Sequence, residues 1–282
     1  MADPRPARDD HPAPRPSAAT DDGAVLLPGG VANVGAVVRI GDTVRRPLGR
    51  HSATTQALLR HFEAVGFAGA PRFRGIDELG REILGFIPGD VAIPPFPAWA
   101  ADEALLADVA RLQRDAHEAA SGFVVPPGVE LPDPRLPPQS SGQLVCHLDV
   151  CLENVVVRDG RAVALLDWDM AAPADPLLDV AIATRHWVPM RDPADLDEAR
   201  RGVDQGARLR RYLDAYGVAP ADRERVLDLL AGFLQRGLDR MRQRAASGHP
   251  GFRAMWESGY PAANGRARAW LAAERARLLG GR

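Results

Sequence analysis

The stretch Val145-Cys146-His147-Leu148-Asp149-Val150-Cys151-Leu152-Glu153-Asn154-Val155-Val156-Val157, with Leu165-Leu166-Asp167-Trp168-Asp169 close behind it, decides how this chain reads. Leu144–Cys146, Val155–Val157 and Val163–Leu166 are short apolar runs of the kind that form buried strands, and Asp159-Gly160 between the last two predicts a hairpin. The polar residues gather where these strands end. His147, Asp149 and Asn154 lie in the loop after the first, and Asp167 follows the third. Such a hairpin sets the strand entering the loop beside the strand leaving Asp167, so Asp149, Asn154 and Asp167 can converge on one small volume. Carboxylate and amide oxygens arranged in this way are hard ligands suited to Mg2+. A carboxylate beside such a cation can orient an attacking hydroxyl and accept its proton.

The spacing HxDxxxxN, here His147, Asp149 and Asn154, is followed thirteen residues later by the aspartate of an Asp-Trp pair, Asp167. It resembles the aminoglycoside phosphotransferase family, which is similar to the protein kinases. Asp175-Pro176 and Leu178-Asp179-Val180-Ala181 resemble the family's GDPxxDLA segment, so several ordered elements fall within about 35 residues. By position the resemblance implies Asp149 as catalytic base, Asn154 as a metal ligand and Asp167 as the principal metal ligand. His147 and Asp179 would be scaffold residues holding the catalytic loop. It further implies a bilobal, protein-kinase-like α+β fold with a small β-rich N-lobe and a larger, mainly helical C-lobe, and Mg2+ with ATP or GTP as co-substrate.

The N-terminal part reads as a small β unit. Val34–Ile40 and Thr43–Val44 flank the Gly41-Asp42 turn, Ser52 caps a helix to about Val65, and Pro71–Ile76 and Arg81–Ile87 are strands around an Asp77–Gly80 turn. Gly29 and Gly30 resemble the family's loose glycine turn over the nucleotide, and Phe86 and Ile87 its hinge between lobes. The kinase pattern wants a lysine on the third strand paired with a glutamate on the first helix, but the chain has no lysine, and that helix offers Thr54, Thr55 and Gln56 instead. The replacement falls on Arg45 or Arg46, since arginine holds phosphate bidentately. Alternation from Thr43 favours Arg45, and the usual ion pair is expected to be absent. The resulting division is a disordered tail (1–22), a nucleotide-binding lobe (23–88) and a catalytic and acceptor-binding lobe (89–282). In the last, helices are expected at 99–120, 196–216, 220–246 and 262–279.

Composition bounds the rest. The 282 residues are 46% hydrophobic and 26% charged with a net charge of −2, an ordinary globular balance. All 35 basic residues are arginine, which excludes Schiff-base lysine chemistry and the GxxxxGK[ST] phosphate loop. Near-neutral charge gives no footprint for nucleic acid, and no apolar run approaches the ~18 residues of a membrane span. The tail lacks the apolar core of a secretory signal, and the two cysteines, Cys146 and Cys151, are too few for a disulfide framework, so a cytoplasmic protein is expected. From His186 onward there are 18 Arg against 12 Asp and Glu. A basic C-terminal half disfavours a polycationic acceptor.

The expected function is transfer of the γ-phosphate of a nucleoside triphosphate to a hydroxyl of a small molecule, such as an antibiotic or other metabolite, with antibiotic resistance as one outcome. The alternative is a non-catalytic nucleotide-binding or toxin/antibiotic immunity protein retaining the kinase-like fold.

Overall fold

The structure is a computed structural model that describes residues 23–27, 36–129, 131–132, 144–248 and 250–280. The tail at 1–22, the glycine turn with Gly29 and Gly30, and most of the proline-rich segment after Val125 lie outside the described residues.

Five antiparallel strands make the N-terminal sheet: β1 (Val25–Leu26), β2 (Val38–Ile40), β3 (Thr43–Arg46), β4 (Phe73–Ile76) and β5 (Glu82–Gly85), in the order β1-β2-β3-β5-β4. Gly41 turns β2 into β3 at φ 61°, a conformation that glycine adopts without strain. Helix α1 (Ser52–Ala64) buries Leu58, Leu59 and Phe62. Each such side chain contributes roughly 1.5–3 kcal/mol by leaving water. The Phe62 ring meets Trp168 edge-on at 4.8 Å, which ties α1 to the loop that carries Asp167.

Gly89 begins the second part. At φ 145°, with an added Cβ falling 2.6 Å from Val157 O, it lets the chain pass tightly against the far hairpin. Asp90 and Val157 then exchange backbone hydrogen bonds of 2.8 and 2.7 Å. That hairpin is β7 (Val155–Arg158) with β8 (Arg161–Leu165); a second small sheet pairs β6 (Leu144–Cys146) with β9 (Ala172–Ala174). The strand entering the catalytic loop and the strand leaving Asp167 are thus neighbours.

Helices build the remainder: α2 (Glu103–Ala120), α3 (Pro176–Trp187), α4 (Gln205–Tyr216), α5 (Arg223–Ala246), α6 (Pro250–Glu257) and α7 (Tyr260–Leu278). Asp102, Asp175 and Asp204 cap α2, α3 and α4 by accepting from Leu105, Leu177 and Ala207 N–H groups. The helix expected at 196–216 starts only at Gln205. Pro193 and Gly202 hold the chain before it in short 3-10 turns, with Gly202 at φ 82°. The helix expected at 262–279 is preceded by α6 and set off from it by Gly259 at φ 97°. Among the described residues no helix is long and apolar enough to cross a membrane.

Candidate active site

β3 and β5 face each other in register, Val44 opposite Leu84 and Arg46 opposite Glu82, and these four side chains share the inward face. Val44 and Leu84 join the apolar core. Arg46 and Glu82, one step along, are a buried ion pair, with Nε donating to Glu82 Oε2 at 2.6 Å. The rest of the Arg46 guanidinium spans to the second half of the molecule, donating from Nη1 to Asp167 Oδ1 (3.3 Å) and from Nη2 to Asp169 Oδ1 (2.7 Å). Burial disfavours its charge, but Asp169 and Glu82 outweigh that and hold the guanidinium firmly protonated.

Arg45, by contrast, points away. Its Nη1 donates to Thr43 Oγ1 at 2.6 Å and its Nε lies 3.6 Å from Asp77. The preference for Arg45 is therefore corrected. The face that leads to the acidic cluster is that of Val44 and Arg46, not that of Thr43. No carboxylate of α1 pairs with Arg46 among the described residues; a different pair takes that place, with the carboxylate coming from Glu82 on β5. α1 contributes Thr55, whose hydroxyl donates to Trp168 O at 3.4 Å.

The residues of the loop after β6 are locked by buried polar groups. Asp179, on the first turn of α3 and fully buried, accepts from the N–H groups of His147 (3.2 Å) and Leu148 (2.7 Å) and from His117 Nε2 (2.9 Å). The second of these amides belongs to a residue at φ 61°, a backbone strain that the bond offsets. Burial opposes the Asp179 charge, yet the hydrogen bond and positive field of His117, with His147 and Gln113, keep its carboxyl below the ordinary value. His147 bridges the two strand ends: Nε2 donates to Leu166 O at 2.8 Å, and Nδ1 accepts from Asp149 N–H at 3.3 Å. His147 and Asp179 each hydrogen-bond backbone groups of this loop.

Asn154 donates through Nδ2 to Asp149 O (2.9 Å) and Oδ2 (3.1 Å), which leaves its Oδ1 as the open acceptor. Leu166 N donates to Asn154 O at 2.7 Å and so draws the Asp167 segment against it. Asp167 sits in the left-handed region, φ 59°, half open to solvent on one side and walled by protein on the other. Its carboxyl is raised above the ordinary value, first by burial, then by Asp169 and Asp149, against the opposing pull of Arg46 and His147. Three carboxylates crowded around one guanidinium form a pocket of surplus negative charge. Asn154 Oδ1 and Asp167 are oxygen donors that fit a hard divalent cation there.

Phe86 and Ile87 lie at the junction between the two parts, partly buried. Phe86 N–H donates to Asp42 O at 2.8 Å, and the Arg39 guanidinium lies 3.7 Å over its ring. Cys146 and Cys151 are both free and buried. Sequence reasoning passed over three participants: Glu82, Asp169 and His117. Glu82 left a signal, since it alternates with Leu84 along β5 and so had to face the core. Asp169 and His117 left no local signal, because their partners Arg46 and Asp179 lie 123 and 62 residues away in the chain.

The geometry agrees with comparisons to known proteins. Residues 12–227 match the profile of the APH family, described as the phosphotransferase enzyme family. The chain belongs to the APH phosphotransferase family. It is 33% identical over 204 residues to the trifolitoxin immunity protein of Rhizobium leguminosarum bv. trifolii, covering 70% of this chain and 76% of that one. A choline/ethanolamine kinase family protein from Mesorhizobium loti superposes with a TM-score of 0.64 at 21% identity, over 93% of this chain and 92% of that one. An amicoumacin kinase in complex with AMP-PNP, Ca2+ and Ami gives 0.56 at 10% identity, over 86% and 87%. The fold of this family member is therefore the bilobal, protein-kinase-like one, a small β-rich N-lobe on a mainly helical C-lobe.

Proposed function

We propose that this APH-family protein is a small-molecule kinase that moves the γ-phosphoryl group of ATP or GTP to an alcohol acceptor in the cytoplasm. One observation carries the reading: Asp149 and Asn154 from one loop, Asp167 from a second stretch of chain and Arg46 from a third come together, between the parts we read as lobes, 23–88 and 89–282. Phosphoryl transfer asks little of a protein beyond positioning and charge neutralisation, and these residues supply both. Asp149 orients the acceptor hydroxyl and takes its proton as the oxygen bonds to the γ-phosphorus. The bond from that phosphorus to the bridging β-oxygen breaks, and the nucleoside diphosphate leaves. Arg46, held by Glu82, presents its guanidinium to the phosphates. Mg2+, when bound at Asn154 and Asp167, would neutralise charge on the β- and γ-phosphates. Phe86 and Ile87 line the purine side; Gly29 and Gly30 lie outside the described residues, and a part in nucleotide binding is what the sequence resemblance implies for them.

Support for nucleotide and divalent-cation use comes from the amicoumacin kinase, whose structure holds AMP-PNP and Ca2+. An acceptor of antibiotic type, with resistance as its consequence, fits the same relative. The test is consumption of ATP and GTP over alcohol libraries with and without Mg2+. Asp149→Asn and Asp167→Ala are each expected to lower turnover by about 100-fold or more, the scale of a lost general base or a lost electrostatic stabiliser. Unchanged Mg2+-dependent transfer in Asp167→Ala would refute the metal assignment.

A second reading, a nucleotide-binding immunity protein without turnover, is favoured by the 33% identity to the trifolitoxin immunity protein. Thermal stabilisation by Mg·ATP with no hydrolysis or transfer to any acceptor would select it.

A further inference from the structure

Helix α4 turns a stripe of polar side chains inward. Gln205, Arg208, Tyr212 and Tyr216 recur at helical spacing, so they share one face, and the first three are no more than 3% exposed. Burying polar groups costs free energy unless they find partners, and each of these does. Gln205 Nε2 donates to the carbonyls of Pro189 (2.8 Å) and Arg191 (2.7 Å), and Arg208 Nη2 donates to that of Trp187 (2.9 Å). The two tyrosines reach across to α2. The Tyr212 hydroxyl donates to Gln113 Oε1, and the Tyr216 hydroxyl meets His117 Nδ1, both at 2.7 Å.

Gln113 and His117 lie one turn apart on α2, both buried, and both act on Asp179. His117 Nε2 donates to Asp179 Oδ2 at 2.9 Å. The Asp179 carboxyl is held below its ordinary value and so only accepts, which makes Nε2 the nitrogen that bears hydrogen. Nδ1 then accepts from Tyr216, whose hydroxyl is kept protonated by burial and by the nearby Cys146 and Asp179. Tyr212 fixes Gln113 in the same sense. With Oε1 taken, the amide nitrogen is left for Asp179, whose charge it favours without a hydrogen bond of ordinary geometry among the described residues. Asp179 hands this order on to the loop after β6: Oδ1 accepts from Leu148 N–H at 2.7 Å and Oδ2 from His147 N–H at 3.2 Å. Leu148 stands at φ 61°, and its backbone sets the direction in which the next residue, Asp149, leaves it.

We propose that His117 and Gln113, fixed from behind by Tyr216 and Tyr212 of α4, are positioning residues for Asp149 that act through Asp179. An aspartate carboxylate turns easily about its last side-chain bond. With Oδ2 pinned by the imidazole, it cannot turn, so Oδ1 stays on the Leu148 amide and holds the left-handed residue in place. Release of that pin lets Leu148 relax toward a commoner backbone conformation, and Asp149 swings with it. The same face of α4 holds the carbonyls of Trp187, Pro189 and Arg191, so one helix fixes both the loop of Asp149 and the chain that leaves α3. The task given to Asp149 rests on the phosphotransferase reading, and the test is built on backbone exchange so that the two can fail separately.

The experiment measures amide hydrogen exchange of the full chain residue by residue, with the Val157 N–H, which donates to Asp90 O, as the reference for stability at large. Tyr216→Phe, Tyr212→Phe, His117→Phe and His117→Gln are compared with the unaltered chain. Exchange at Leu148 should quicken by about ten-fold or more in Tyr216→Phe and further in His117→Phe, while Val157 changes by less than about two-fold. Tyr212→Phe should act in the same direction. His117→Gln, which keeps an N–H donor within reach of Asp179, should recover part of the protection. Tyr216→Phe removes a single oxygen from a partly buried place, so it decides the matter if His117→Phe does not fold. Turnover is followed on the same proteins: kcat should fall by about ten-fold with the KM for nucleotide unchanged, and the glutamine variant should recover it in step with the exchange. Leu148 exchange that moves no more than that of Val157, a His117→Gln variant no better than His117→Phe, or a loss that falls on nucleotide KM alone overturns the positioning role. Exchange that quickens at Leu148 in a protein that consumes neither ATP nor GTP leaves the hold of α4 on the loop standing and refutes the phosphotransferase reading instead.

Discussion

Arg46 Nε lies 2.6 Å from Glu82 Oε2, and both side chains are buried between adjacent strands of the N-terminal sheet. The kinase pattern that the sequence resembles asks for a lysine on the third strand and a glutamate on the first helix. The chain has no lysine, and its first helix offers no carboxylate at the matching turn. The cross-strand register solves both problems with one step of β pairing, since Arg46 opposite Glu82 repeats the geometry of Val44 opposite Leu84. Glu82 Oε1 has no hydrogen-bond partner among the described residues, so the glutamate is committed to Arg46 through one oxygen. Such an arrangement is held for position rather than for stability.

That distinction is measurable. Glu82→Ala leaves a buried guanidinium without its nearest countercharge and should lower unfolding free energy by about 3–5 kcal/mol. Replacing both partners with apolar side chains of similar size, Arg46→Met with Glu82→Leu, should recover most of that loss, because no charge is then stranded. The double variant should nonetheless fail to bind nucleotide. Chemical denaturation with nucleotide titration on the same three proteins checks both halves, and a double variant that binds normally would remove Arg46 from the phosphate site.

The two neighbouring arginines give a sharper contrast. Arg45 serves a partly exposed contact with Thr43 and Asp77, so Arg45→Ala should cost below about 1 kcal/mol and leave nucleotide affinity nearly unchanged. Arg46→Ala should weaken nucleotide binding by about ten-fold or more, the worth of a charge-assisted contact. Arg46→Lys should fall between, because an ammonium cannot span Glu82, Asp167 and Asp169 at once. Equal effects of the two alanine variants would contradict the face assignment on β3.

How much of this could be read from the chain follows from where each signal is stored. The catalytic loop was legible because its polar residues are local in sequence and bracketed by apolar strands. His147, Asp149, Asn154 and Asp167 lie within 21 consecutive positions. The Arg46–Glu82 pair was not, because it depends on the register between strands 36 residues apart, and register is set by which face of each strand the core takes. Asp169 carries no local mark for a related reason: its partner Arg46 comes from 123 residues away. The late start of α4 was hidden by good helical periodicity upstream, which Pro193 and Gly202 override.

Stability should fall on the acid side through two groups, the half-buried His186 and the buried Asp179. His186 has its folded value well below the ordinary 6.5, through burial and the charges of Arg185, Arg191 and Arg200. The unfolded chain therefore takes up a proton at this residue first as the pH falls. Its contribution is complete above 6.5 and declines below it, by up to about 1.4 kcal/mol per pH unit until the folded form also protonates. Asp179, whose folded value is depressed, adds stability that is present above the ordinary carboxylate value and lost as the pH falls through its own. Urea unfolding between about pH 7 and pH 5 should show the first slope, and His186→Gln should flatten it. A slope unchanged by that substitution would place its origin elsewhere.

Gly89 governs how the two lobes meet, and it does so through backbone alone. Its φ of 145° is one that side-chain-bearing residues rarely adopt, and a Cβ there would fall 2.6 Å from both Val156 Cγ1 and Val157 O. The carbonyl cannot yield, because Val157 is fixed by its paired hydrogen bonds with Asp90. Gly89→Ala must therefore either twist the hinge or part the Asp90–Val157 bridge, at roughly 1–3 kcal/mol. Either response moves Phe86 and Ile87 relative to Asp149 and Asp167, so nucleotide affinity should fall together with Tm. Gly80→Ala is the control: it also has positive φ, at 74°, but its Cβ meets nothing within 4 Å among the described residues, and it lies in the turn between β4 and β5. That variant should lower Tm without altering nucleotide affinity, and a matching loss of affinity in both would show that global stability, not hinge geometry, sets nucleotide binding.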